Sequence, residues 1–273
     1  MTKKTIIRVL ILAAFLAAGV LFFGATLPVS GQSTSKLETK KGKIYQETYP
    51  LVSESDLYCS YSVLDGPLPD LKVTGAERQE ERVFFSDGDV IYVNGGVKQG
   101  VAANQVYMLL NFRQKMKHPR TGESYGPLIQ KVGRGRVIHV EEKRSILRIE
   151  KACSPVQVGD YAVLFTEKKL VIGKDKGYVP YTNRRADATR GEVIFLGAEL
   201  KQAGTGNWVL IDLGKDQGLE VGNQVTLSTA ADKKLPKVAV ASAVVIDVQA
   251  KTSTIKILSD SEAIRLGCEV EVK

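Results

Sequence analysis

A chain of 273 residues, 44% hydrophobic and 25% charged, has the composition of a protein that buries a core, which excludes a disordered polymer. Its net charge of +8 is spread along the chain rather than gathered into a run, the pattern of a solvated face, so nucleic acid is not an expected partner. Its three cysteines are an odd number, which excludes a framework in which every thiol is paired.

The first 31 residues, MTKKTIIRVLILAAFLAAGVLFFGATLPVSG, place Lys3, Lys4 and Arg8 ahead of an apolar run from Val9 to Phe23, with no acidic residue. That is the order of a secretory signal. Pro28 can end its helix, and Val29 and Gly31 take the small-residue positions of a cleavage site, predicting a cut between Gly31 and Gln32. The alternative is an uncleaved inner-membrane anchor, because Val9 to Val29 spans 21 residues, about enough to cross a bilayer. Either reading exports the rest of the chain to the periplasm or cell envelope. Losing Lys3, Lys4 and Arg8 would lower the net charge from +8 to +5.

Residues 32–68 read as a polar arm. After it, short runs rich in Val, Ile, Tyr and Phe are separated by Gly, Asn, Asp or Lys turns, and no stretch keeps a helical period for three turns. The expected fold class is all-β, with two tandem small β-barrel modules at residues 69–165 and 190–273 and a basic, irregular linker at 166–189.

The two modules repeat each other. VIYVNGGVKQGV, residues 90–101, is answered by WVLIDLGKDQGL, residues 208–219, aligning Asn94 with Asp212, Gly96 with Gly214, and Gly100 with Gly218. TGAER from Thr74 is matched to LGAEL from Leu196, and ANQVYML from Ala103 to GNQVTLS from Gly222. The segment from Arg136 is matched to that from Val244, with Ser145 on Ser253 and Gly159 on Gly267. The offset falls from 118 at Gly100 to 108 at Gly159, so the first module carries an insertion, NFRQKMKHPRTGESYGPLIQK, where the second has TAADKKLPK. Asn94, Gly96, Gly100, Gly122, Gly159, Gly214, Gly218 and Gly267 are expected to build turns, with Gly96 and Gly100 supplying positive φ. A phosphate-cradling loop is not expected there, since a strand follows rather than a helix.

Cys59 and Cys153 lie in turn-like contexts and Cys268 in the last strand, so the preferred pairing is Cys59–Cys153, with three free thiols as the alternative. GRGR, Gly133 to Arg136, is answered by small residues in the second module, predicting tight packing at its glycines with Arg134 and Arg136 facing out. The histidines, His118 and His139, lie in different segments without further ligands at a metal-binding spacing, so no metal or other cofactor is expected. Asp87, Asp89, Glu141, Glu142 and Asp160 read as surface carboxylates beside turns. No nucleophile and base, and no carboxylate pair, asks for an enzyme. The inserted loop is the candidate for recognition: Lys115, Lys117, His118, Arg120 and Tyr125 suit an anionic wall polymer or an envelope protein, or else decorate a hairpin without a ligand.

The residues Tyr92, Asn94, Gly96, Gly100 and Val101, then Pro119, Thr121, Gly122 and Glu123, then Gly133, Arg136, Val137, Val140, Ser145 and Ile149, and finally Val158, Gly159 and Asp160 form a pattern. It resembles the C-terminal β-barrel modules of the flagellar assembly protein T family, and the related repeats of uncharacterised bacterial envelope proteins, some of which carry a LysM peptidoglycan-binding domain. A looser likeness runs to the rod-shape-determining protein C family, a membrane-anchored periplasmic scaffold. The resemblance implies a noncatalytic binding or assembly role in the periplasm, peptidoglycan- or flagellum-associated, with an anchored cell-shape scaffold as the alternative that the looser likeness implies. Apart from the resemblance, an envelope hydrolase or lyase is the alternative from another class, against which the missing catalytic constellation speaks.

Overall fold

The structure, a computed structural model, describes residues 48–181, 186–197, 200–230 and 235–273; the apolar N-terminal segment and the expected cut after Gly31 lie outside them. Among the described residues no helix is long and apolar enough to cross a membrane. The Val- and Ile-rich runs form strands, as their alternation with turn residues predicts. β3 (Val73–Ala76), β4 (Val90–Val93), β5 (Val106–Lys117), β6 (Ser124–Val140), β7 (Ser145–Ala152) and β8 (Tyr161–Leu164) form one sheet in the order β3-β4-β7-β6-β5-β8. It curls until its edges meet: Val73 N–H donates to Asp160 O at 2.7 Å and Ala162 N–H to Leu71 O at 2.9 Å.

The second module repeats this order. β10 (Arg190–Phe195), β11 (Trp208–Ile211), β12 (Gln224–Thr229), β13 (Val238–Val248), β14 (Ser253–Asp260) and β15 (Glu269–Val272) form a closed barrel, β10-β11-β14-β13-β12-β15. Inward-facing side chains fill each barrel: Phe85, Ile91, Leu109, Leu147 and Ile149 in the first, Ile211, Val225, Leu227, Ile255 and Ile257 in the second. At each barrel seam the first strand meets the last, β3 with β8 and β10 with β15, so the seam itself offers no open edge.

The strand-and-turn repeat at residues 90–101 and 208–219 is the same device in both barrels. After β4 and after β11 the chain makes a single 3-10 turn, Val97–Gln99 and Lys215–Gln217. The side chain of Gln99 reaches back to accept from Gly96 N–H at 2.9 Å, and that of Gln217 from Gly214 N–H at 2.8 Å. Asn94 Oδ1 accepts from Lys72 N–H at 2.6 Å, and Asp212 Oδ1 from Glu192 N–H at 2.5 Å, so each ties its turn to the first strand of its barrel. Gly100 and Gly218 end the turns with φ of 78° and 79°, as expected.

Gly96 departs from the expectation. Its φ is −133°, extended backbone, and it must be glycine for another reason: a Cβ would lie 2.2 Å from Glu141 O, and one on Gly214 would lie 2.4 Å from Ala250 O. Gly96→Ala and Gly214→Ala are therefore expected to destabilise by about 1–3 kcal/mol each through overpacking. Gly100→Asn, which meets nothing within 4 Å and suits left-handed backbone, should lose less than about 1 kcal/mol. Urea unfolding of the three variants measures the contrast.

Strand register corrects two of the sequence alignments. Val73 and Gly75 face Val93 and Tyr92 across a bulge, and Val193 and Phe195 face Ile211 and Leu210 across its counterpart. Thr74 therefore matches Ile194, not Leu196. Asn104, with φ of 67°, matches Gly222, with φ of 95°, one residue from the match that the letters NQV suggest; the shared property is left-handed backbone. The match from Arg136 to Val244 stands: Val106 pairs Arg136 and Gln224 pairs Val244, and bulges fall before both His139 and Asp247.

The described part of the arm, from residue 48 on, packs onto the linker and the first barrel. β1 (Tyr49–Pro50) pairs β9 (Ile172–Gly173) of the linker, α1 (Glu54–Tyr58) follows, and β2 (Tyr61–Val63) adds itself to β6. Ser53 caps α1, accepting from Asp56 N–H while Asp56 accepts from Ser53 N–H, the reciprocal arrangement that lets so short a helix form. Cys59, at its C-terminus, is joined to Cys153 with Cα atoms 5.5 Å apart, as expected, and Cys268 is free and buried. The pairing fits a non-cytoplasmic protein.

Candidate functional site

The insertion in the first module lengthens a hairpin. β5 has 12 residues and β6 has 17, against 6 and 11 for their counterparts β12 and β13. The extra length carries the hairpin out of its own barrel and onto the other. There β2, β6 and β5 form a three-stranded extension whose Val63, Met116 and Leu128 pack with Ile194 and Leu210 of the second barrel. Tyr61 meets Phe195 edge-on at 5.3 Å.

The tip of the hairpin is polar, and the second barrel receives it. His118 is only 5% exposed. Its Nδ1 accepts from Arg120 N–H at 3.1 Å and Thr121 N–H at 3.2 Å, while Nε2 faces Asp212 Oδ2 at 3.5 Å and Glu192 Oε2 at 3.9 Å. The Arg120 guanidinium pairs with Glu192 at 2.6 Å, and Glu123 with Lys251 at 2.8 Å. Half-buried Tyr125 has its hydroxyl pushed up to about 12, by burial first and then by Asp212, Glu123 and Glu192. Of the candidate recognition residues, His118, Arg120 and Tyr125 are thus engaged by the second barrel. Lys115 and Lys117 are exposed and make no ion pair among the described residues.

A second junction is apolar with a buried ionic centre. Leu57 and Tyr58 of α1, Met108, Leu110 and Ile129 of the first barrel and Val244 and Ile246 of the second share one cluster. Asp56 on α1 accepts from the Trp208 indole at 2.8 Å and from the Lys256 ammonium at 2.6 Å. Burial pushes the Asp56 carboxyl up, but Lys256, the Ser53 N–H and Trp208 outweigh it and leave it below its ordinary value. Beside it, Lys131 Nζ on β6 meets Asp247 Oδ2 on β13 at 2.7 Å and also donates to Leu57 O at 3.3 Å; Lys168 Nζ from the linker takes Asp247 Oδ1 at 2.8 Å. Burial pushes the Lys131 ammonium down to about 8. It also pushes the Asp247 carboxyl up, yet the two lysines hold that group well below the carboxylate range.

The linker continues the binding of parts. Tyr58 Oη accepts from Lys168 N–H at 2.7 Å, and Asp175 accepts from Ser242 at 2.8 Å and Ser259 at 3.1 Å. An open groove of about 900 Å³ lies between Leu170–Gly173 and Gly218–Gly222, with Lys168, Lys215 and Asp247 in its walls; Asp247 is already held by Lys131 and Lys168.

Of the other residues singled out in the sequence, Gly133 and Asp160 are packed into the fold. A Cβ on Gly133 would lie 2.5 Å from Lys151 O, the tight packing expected there, and Arg134 faces out to pair with Glu54 at 2.9 Å and to lie over Phe165 at 5.5 Å. Asp160 is not the surface carboxylate expected. It is 2% exposed, accepting from Gln157 N–H at 2.8 Å and from Asn111 at 2.6 Å, and burial raises its pKa. Cys268 takes the same place in the second barrel, its Sγ accepting from Arg265 N–H at 3.3 Å. His139 is exposed and distinct from the buried His118, and among the described residues no three or more His, Cys, Asp or Glu side chains are grouped to hold a metal ion.

Sequence reasoning missed Asp56, Lys131, Asp247 and Lys168, which join the arm, the barrels and the linker. One signal was available: the repeat placed Asp247 opposite His139, a change of charge at an otherwise matched position. The chain matches no protein-family model and no curated protein sequence.

Proposed function

We propose that the protein is a noncatalytic, exported binding or assembly module of the bacterial periplasm, of the peptidoglycan- or flagellum-associated type. The observation that carries this reading is where the polar groups go. Glu192, Asp212, Asp247, Lys256, Asp56 and Lys131 all serve to fix two barrels and an arm as one body. Such a body holds a surface in place for a partner, as a scaffold must. The disulfide and the signal-like first 31 residues support export, and the resemblance of the Tyr92-to-Asp160 pattern to flagellar assembly protein T modules supports an envelope role.

Fractionation of cells making the full chain, with thiol mapping under non-reducing conditions, tests the proposal. The expected result is protein in the envelope or periplasmic fraction with Cys59 and Cys153 resistant to alkylation. Cytoplasmic protein with both thiols reduced would overturn it. The N-terminus of the recovered protein separates the two forms of export: Gln32 for a cleaved signal, or a retained Val9–Val29 segment for a membrane-anchored scaffold of the cell-shape type. Turnover of purified wall fragments would instead establish an envelope hydrolase or lyase.

A further inference from the structure

β5 is paired along its whole length with β6 on one side, but on the other β8 covers only Tyr107 to Leu110. At Leu110 the partner strand turns away: Asp160 and Gly159, just before Tyr161, bond instead to Val73. Among the described residues no strand pairs with β5 on that side from Asn111 to Lys117. Phe112, Arg113, Gln114, Lys115 and Lys117 are exposed there, while Met116 is buried against the second barrel. The segment is held rigid by its ladder to β6, by β2 beyond it, and by the tip contacts of His118, Arg120 and Glu123.

The charges on this edge decide what can pair with it. Lys115 and Lys117 stand about 7 Å apart on the face away from Met116, and Arg113, the unpaired residue of a bulge between Phe112 and Gln114, precedes them. Arg113 is bonded to Gln130, and no carboxylate among the described residues neutralises either lysine. An antiparallel pairing with the same edge of a second copy would bring lysines against lysines, which disfavours self-association. An acidic strand is complementary on both counts: its backbone fills the open ladder and its carboxylates meet the lysines.

We infer that the free edge of β5, from Asn111 to Lys117, is a docking site for an extended acidic protein segment that adds as a strand. This rests on the reading of the protein as a binding module and names the chemistry of its partner. The unpaired backbone donors and acceptors favour a peptide over an anionic polysaccharide, which has no strand ladder to offer.

The test uses the oxidised full chain and a fluorescent peptide of alternating Glu and Thr. Saturable binding is expected, weakened about tenfold or more by K115E/K117E and less by K115Q/K117Q. A peptide of the same charge with two central prolines, which cannot donate to a ladder, should bind about tenfold weaker, and amide signals of residues 111–117 should shift on binding the first peptide alone. Unchanged far-UV circular dichroism checks that the exposed lysine variants fold. Absence of peptide binding, equal binding of the proline peptide, or binding only of an anionic wall polysaccharide would overturn the inference. Because export and thiol oxidation are scored separately, any of these results leaves the envelope reading to stand or fall on its own experiment.

Discussion

Asp247→Ala is expected to lower the stability of the protein by about 3–5 kcal/mol, the usual effect of leaving a buried charge without its partner. The side chain of Lys131 is 9% exposed and that of Asp247 is 13% exposed, so the stranded ammonium of Lys131 would have little water to turn to. Lys168, with 31% side-chain exposure, can swing outward. The loss in Asp247→Ala is therefore attributed to Lys131, and a double variant tests that: Lys131→Met with Asp247→Leu should recover most of the stability, since an apolar pair of similar volume fits the surrounding Leu57, Ile129 and Ile246 cluster. The same centre sets an acid dependence. A carboxyl whose folded pKa is held below its unfolded value of 3.8 contributes stability that is fully present above that value and is lost as pH falls further. Denaturant unfolding at falling pH should show a decline below about pH 4 that is smaller in Asp247→Asn than in the parent.

Removing the disulfide has the second large effect. Cys59 and Cys153 are 94 residues apart, and closing a loop of that size limits the unfolded chain by about 4–5 kcal/mol on the chain-entropy estimate, within the range seen when native disulfides are removed. The consequence is local as well as global. Cys59 ends α1, whose Asp56 binds Trp208 and Lys256 of the second barrel, so the covalent bond to the first barrel is one half of a tie that joins both. Cys59→Ser/Cys153→Ser should lower the urea midpoint and also speed hydrogen exchange in Ser53–Ser62 beyond the change in the barrel strands. Cys268→Ala, which removes only a buried thiol and one weak acceptor for Arg265 N–H, should lose far less. A disulfide variant as stable as the parent would show that the arm is held by its non-covalent contacts alone.

The strands, the shared order of the two modules and the disulfide partners were legible in the sequence because local chemistry dictates them. β-Branched runs between glycine turns make strands, and a turn that must pack its glycine against backbone keeps that glycine in both modules. The alignments went astray where letters and conformation part company. Asn104 matches Gly222 because both supply left-handed backbone, not because they are alike as residues. What the sequence could not convey was which partner each polar side chain meets. Lys115, Lys117, His118, Arg120 and Tyr125 look alike in the string, yet the hairpin's reach across to the second barrel buries His118 and engages Arg120 while leaving the two lysines in water. Lys131 sits in the run LIQKV, whose every residue is buried; a strand covered on both faces has no alternation to mark the lysine as internal. Its partner Asp247 lies more than a hundred residues away, and no local pattern joins them.

This division also revises what the insertion does. One side of the lengthened hairpin clamps the second barrel through Met116, His118, Arg120 and Glu123, and the other presents an open strand edge with Lys115 and Lys117. A function that depends on partners would be served by both: the clamp fixes the edge, and the edge remains available.

The most direct test of the central claim, that this is an exported module acting through a partner at the open edge of β5, is photo-crosslinking in intact cells from position 114, which is exposed beside the two lysines and leaves both in place. The account predicts a discrete adduct with an envelope protein, formed with the full chain and lost when Lys117→Glu reverses the neighbouring charge. No adduct, an adduct with cytoplasmic proteins, or one that persists unchanged in the Lys117→Glu chain would contradict it.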